Sequence, residues 1–211
     1  MKHGVLLLAA LVALAGCRSS ETRTARRAGD RLRLFAETIR AGEQIIEDAL
    51  VSLKAMRENP EADQTAMFNT FRNEMALLED LTRKSRSRGE AAVEEKEQYL
   101  EEWGRNLESI QDHALRETSK ERRREVKRAF AEVLGSFETA RSSFRPLYAT
   151  LKDLRTMLAN DLSAGGIRAV EGTIATADAG AIQARKDLAA VRQQVEDLAE
   201  MIAPAKDEDD R

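Results

Sequence analysis

Apolar residues return at alternating steps of three and four through four long stretches of this chain, and that spacing leaves few ways to fold. The first stretch runs Ala28, Leu32, Phe35, Ile39, Gly42, Ile46, Ala49, Leu53, Met56. The second runs from Phe68 through Phe71, Met75, Leu78, Thr82, Ser85 and Gly89 to Ala92. It then shifts by one residue to Val93, Leu100, Trp103, Leu107 and Ile110. The third runs from Val126 through Phe130, Val133, Phe137, Ala140 and Phe144 to Leu158, and the fourth from Ile167 through Ile174, Ala181 and Leu188 to Ile202. A step averaging 3.5 over such lengths is the mark of helices packed as in a coiled coil, with left-handed supercoiling. The expected fold is all-α, an elongated antiparallel four-helix bundle with heptad packing, its helices about 55–75 Å long.

Composition agrees with that class. Only 3 Pro and 11 Gly interrupt 211 residues, and 34% of the chain is charged, enough to wet a long rod. The punctuation divides the seams. Asn59-Pro60 separates helices one and two, with Asp63 as the expected N-cap of helix two. Thr118 or Ser119 is the expected cap of helix three, Ser163 that of helix four, and Pro204 ends helix four. Ser85-Arg86-Ser87-Arg88-Gly89 has the composition of a loop, but the register runs through it unbroken and predicts a continuous helix. Pro146 inside the third seam predicts a kink rather than an end, because it clashes with the Ser142 carbonyl.

Facing residues of an antiparallel pair keep a constant index sum. Helices one and two pair at 124, from Met56/Phe68 through Phe35/Gly89 to Leu32/Ala92. Helices three and four pair at 324 to 325, from Leu158/Ile167 through Phe144/Ala181 to Val126/Leu198. Phe35 opposite Gly89 and Phe144 opposite Ala181 set large against small, as a filled core requires. By the same sum helix two overshoots the start of helix one, and the overshoot is expected to pair with helix three through Trp103/Phe130 and Leu107/Val126.

The N-terminus carries an address. Lys2 and His3 precede an apolar run from Gly4 to Ala15, too short to span a bilayer, closed by Leu14-Ala15-Gly16-Cys17. This tetrapeptide resembles the lipobox of bacterial lipoproteins. The resemblance implies cleavage before Cys17 and acylation of Cys17 on sulfur and nitrogen. Arg18, rather than Asp, follows the cysteine, which favours the periplasmic face of the outer membrane over retention at the inner membrane. The expected organisation is a signal peptide over 1–16, a lipidated tether over 17–27, a helical bundle over 28–203 and an acidic tail over 204–211. With Cys17 the only cysteine, disulfide frameworks and Cys-rich metal sites are excluded.

Residues from about Phe71 to Ile202 resemble a bacterial family designated domain of unknown function two-nine-five-nine. The matching residues are Trp103 with Leu107, Leu115-Arg116 with Ser119, Arg145-Pro146-Leu147, Leu158, and Leu162-Ser163-Ala164 leading to Ile167. Ser163 stands where the family pattern has Asn, and Gly165-Gly166 departs from its helix-favouring residues. The resemblance implies a long helical lipoprotein and no particular activity.

Chemistry is sparsely written. After cleavage one histidine remains, His113, and the Glu-x-x-His pair of di-iron bundles would need Glu at the position of Ile110. His113 is read instead as an exposed residue at the end of helix two. There is no Gly-rich phosphate loop with its Lys, and no Ser/His/Asp set. Glu94, Glu95, Glu97, Glu101 and Glu102 read as a solvated helix face rather than a cation site. Loss of Lys2 with residues 1–16 moves the net charge from −3 to −4, which argues against nucleic acid. No cofactor and no metal are expected.

The function expected from these residues is non-catalytic: a lipid-anchored helical module acting in structure or protein interaction, with a periplasmic protein partner. The alternative is a ligand-binding sensor with an interhelical apolar or aromatic pocket near Trp103, where Tyr99 and Phe130 come into register. One further surface stands out. Arg116, Lys120, Arg122, Arg123, Arg124, Lys127 and Arg128 gather near the end from which the tether leaves, and are read as a membrane-facing basic tip. The counter-reading is a solubilising patch offset by Glu117, Glu121, Glu125 and the acidic tail.

Overall fold

The computed structural model describes the backbone of residues 10–204 and the side chains of residues 23–204. Four helices follow one another: α1 (Ala10–Glu58), α2 (Thr65–Ser109), α3 (His113–Asn160) and α4 (Ala164–Ile202). At 1.5 Å per residue they run about 59–74 Å. Each is antiparallel to the next, and α4 returns against α1, so the four form an elongated bundle. The α2–α3 contact is much the lightest of the four neighbouring pairs.

The heptad positions form the interior. At the end holding the α1–α2 and α3–α4 loops, Ile46, Leu53 and Met56 of α1 meet Phe71 and Met75 of α2, with Leu151, Leu154, Leu158, Ile167 and Ile174 from the other hairpin. At the other end a second core joins Leu32, Phe35 and Ile39 to Ala92, Leu100, Val126, Phe130, Val191, Val195 and Leu198. Between Leu78 and Ala92, α2 contributes no residue to either core, and Leu188 of α4 touches both. This waist is where the second seam turns polar, at Thr82, Ser85 and Gly89. The helix holds there because Arg88 donates to the Leu34 carbonyl (3.2 Å) and to the Thr38 hydroxyl on α1. The loop-like Ser85–Gly89 stretch is therefore continuous helix, as its register predicts.

The α1–α2 pairing is seen directly: a Cβ placed on Gly89 would stand 3.6 Å from the Phe35 ring. Phe144 packs on the same core as Ala181, and a Cβ on Gly180 would reach Leu147 of α3 at 4.0 Å. Helix α3 passes through Pro146 without ending. Pro146 and Ser142 both face solvent, so water can satisfy the carbonyl that the ring leaves without its helical donor.

Several local expectations are corrected. Helix α3 starts at His113, not after a cap at Thr118 or Ser119, because the Asp112 carboxylate accepts from the Leu115 N–H at 2.9 Å and caps the helix six or seven residues earlier. His113 thus sits on the first turn of α3, at the positive pole of a helix dipole and not at the negative end of α2. Asp63 accepts from the Thr65 N–H at 2.9 Å, but the capping position itself is held by Gln64. Ser163 caps α4 as expected, accepting from the Gly166 N–H at 3.2 Å.

The earlier start of α3 leaves only Ile110, Gln111 and Asp112 between α2 and α3, and so moves their register. Trp103 meets Ser119, and Phe130 lies under the Lys96 ammonium (5.9 Å to the ring centroid), not opposite Trp103. Helix α1 runs back as far as Ala10, and from Thr24 and Ala25 onward it engages the bundle.

Candidate functional site: the cleft beside Trp103

At the α2–α3 end, the described residues enclose a cleft of about 330 Å³. Its walls are Thr24 of α1, residues of the last three turns of α2 (Tyr99, Glu102, Trp103, Asn106, Leu107 and Ser109), Ile110 beyond them, and Ser119 of α3. The place follows from the heptad pattern. Leu107 closes the seam of α2, while the short loop swings α3 away before its own core residues begin at Val126.

Fixed polar contacts hold the walls. The Trp103 indole N–H donates to the Ser119 hydroxyl at 2.9 Å, and the Thr24 hydroxyl donates to the Glu102 carboxylate. The Tyr99 and Trp103 rings lie tilted, 5.5 Å apart. Burial raises the Tyr99 pKa above its ordinary value, an effect the Arg122 charge partly opposes, so the phenol keeps its proton at neutral pH. The loop is clamped by Arg116, whose guanidinium donates to the Ile110 carbonyl (Nε at 2.8 Å), and the Arg123 Nε donates to the Leu100 carbonyl at 3.0 Å.

The structure separates the seven basic residues. Arg116 and Arg123 are half-buried, bound to the carbonyl oxygens of Ile110 in the loop and of Leu100 in α2. Lys120 pairs with Glu117, Arg122 with Glu125, and Arg124 and Arg128 share Glu121. Arg122 to Arg128 lie about 13–23 Å along α3 from His113. The stretch nearest the loop therefore holds Arg116 and Lys120, with Leu115 64% exposed between the loop and them.

The glutamate run is likewise distributed. Glu95 and Glu102 turn toward Arg31 and Thr24 of α1, while Glu101 pairs with Arg105 at 2.7 Å. Among the described residues no group of three or more His, Cys, Asp or Glu could hold a metal ion, and no helix is long and apolar enough to cross a membrane.

Two features escaped sequence reasoning. One is the α1–α4 interface, where Ala36 and Ala199 pack outside the seams and ion pairs flank them: Arg40–Glu196 at 2.7 Å, Lys54–Asp178 at 2.6 Å and Arg192–Glu43 at 3.3 Å. The other is Ser119 as the partner of the Trp103 indole, which only the true start of α3 makes visible.

Fold and interior define an antiparallel four-helix bundle with heptad packing. Residues 30–205 match the family described as Protein of unknown function (DUF2959), and the chain belongs to that family. No curated protein and no solved structure matches it.

Proposed function

We propose that this protein is a lipid-anchored periplasmic module of the outer membrane, a helical rod that acts by structure and protein contact and has no catalytic activity. The observation that carries the reading is Leu14-Ala15-Gly16-Cys17 closing the apolar run of residues 4–15. Two or three acyl chains at Cys17 would anchor firmly, since each buried methylene adds about 0.8 kcal/mol.

The rod supports a spacing role. Cores at both ends and ion pairs along the α1–α4 seam suit a bundle that carries contact over a long distance. In this reading Arg116 and Lys120 lie nearest the membrane, Arg122, Arg124, Lys127 and Arg128 meet an anionic lipid surface only if the rod lies down, and Arg123 stays turned onto α2. Nucleic acid and cofactors have no part in it.

Crosslinking in intact cells followed by purification from membranes tests the partner. A single protein retained by the wild type and lost from a Cys17→Ser chain supports the rod. Absence of any crosslinked protein removes the interaction role. A second reading has its own observation, the cleft beside Trp103: a sensor holding an apolar or aromatic molecule. Quenching of Trp103, the sole tryptophan, by added apolar ligands tests it.

A further inference from the structure

Contacts across α1 and α2 follow a strict period at the cleft end. Thr38, Arg31 and Thr24, spaced seven apart on α1, meet Arg88, Glu95 and Glu102, spaced seven apart on α2. Seven residues are two turns of a heptad-packed helix, so each pair repeats the one before on the same faces. Both helices continue for another heptad. The next position is Cys17 on α1, about 10 Å from Thr24, and Ser109 on α2.

Ser109 is exposed and lines the cleft at its end, beside Leu107 and Ile110. The helical register therefore brings the backbone position of Cys17 beside Ser109 at the end of the cleft, with Leu107, Trp103 and Tyr99 following along α2. Their apolar surfaces suit hydrocarbon. The polar atoms of Ser109 and Asn106 in the same walls suit the ester or amide at which a chain begins.

We infer that the cleft receives an acyl chain carried by Cys17 of the same molecule. The inference rests on the lipoprotein reading and goes further, because it assigns the cleft an occupant. One chain folded back against Trp103, with the others in the bilayer, would fix the end of the bundle to the membrane surface instead of leaving it on a loose tether.

The test uses the full chain made in cells fed a palmitic acid analogue bearing a diazirine, irradiated in their membranes before extraction. Intact mass reports whether Cys17 is acylated, and peptide mapping reports where the diazirine inserted. The expected result is an acylated Cys17 with insertions in the tryptic peptides spanning residues 97–105 and 106–116 of the same chain. Ser109→Phe, which blocks that end of the cleft at an exposed position, should lose those insertions while Cys17 stays acylated. An acylated Cys17 whose insertions fall only on bilayer lipid, or a co-purified apolar molecule occupying the cleft instead, would overturn the inference and leave the lipoprotein reading standing. An unacylated Cys17 would overturn both.

Discussion

The junction between α3 and α4 permits a sharp test of the packing, because two glycines of one helix should respond in opposite directions. Gly172 lies in the interior of α4, and a Cβ there meets nothing within 4 Å. Gly172→Ala should therefore stabilise by about 0.5–1 kcal/mol, the ordinary helical gain. A Cβ on Gly166 would stand 2.4 Å from the Asp161 carbonyl oxygen and 2.6 Å from its carboxyl carbon. Neither atom can simply move aside. The Asp161 N–H donates to the Met157 carbonyl at 3.2 Å and closes α3, and its carboxylate accepts from the Ser163 N–H at 2.9 Å beside the start of α4. Overpacking costs about 1–3 kcal/mol and a loosened cap about 1 kcal/mol. Against the helical gain, Gly166→Ala should lose about 1–3 kcal/mol net. For a chain of this size each kcal/mol moves Tm by about 2–4 °C. Thermal unfolding followed by circular dichroism should show Gly172→Ala melting above wild type and Gly166→Ala below it by about 2–12 °C. Equal or higher melting of Gly166→Ala would mean that the chain does not turn at Asp161 as described.

Core register is tested by Ala181→Phe at a position 1% exposed, which should destabilise by about 1–3 kcal/mol against Phe144; wild-type melting would refute the pairing. The acid limb of stability should depend on two loop carboxylates. The Ser163 hydroxyl and N–H hold the Asp161 pKa below its ordinary value, and those of Thr65 do the same for Asp63. A depressed folded pKa gives stability that is present above the unfolded value of about 3.9 and is lost as pH falls through the folded one. The Tm gap between wild type and Asp161→Asn should therefore close below about pH 3.9, and a gap that persists to about pH 2 would refute the assignment.

Seams, helix number and the α1–α2 and α3–α4 pairings were legible because burial imposes period and volume matching on the same residues. Phe35 and Gly89 illustrate this, since each position explains the other. The start of α3 was not legible in the same way. Asp112, Thr118 and Ser119 are all competent caps, and the choice turns on whether a three-residue loop can bridge α2 and α3. That choice then displaced the α2–α3 register and hid the Ser119 partner of Trp103. The α1–α4 face was hard to read because its ion pairs use charged side chains, which occur all over such a surface, and its apolar contacts use small residues such as Ala36 and Ala199 that lie outside the seams. Trp103 and Tyr99 were legible as an aromatic group, but the cleft beside them depends on where α3 departs.

The lipid anchor is tested most directly at the mature N-terminus. Intact-mass measurement of the protein extracted from the membrane fraction should give a chain beginning at Cys17, heavier by its acyl groups. Cys17→Ser should leave the chain uncleaved or displaced from that fraction, while residues 18–211 made alone keep their helicity. A mature chain that retains residues 1–16, or that begins at an unmodified Cys17, would rule out the lipid anchor.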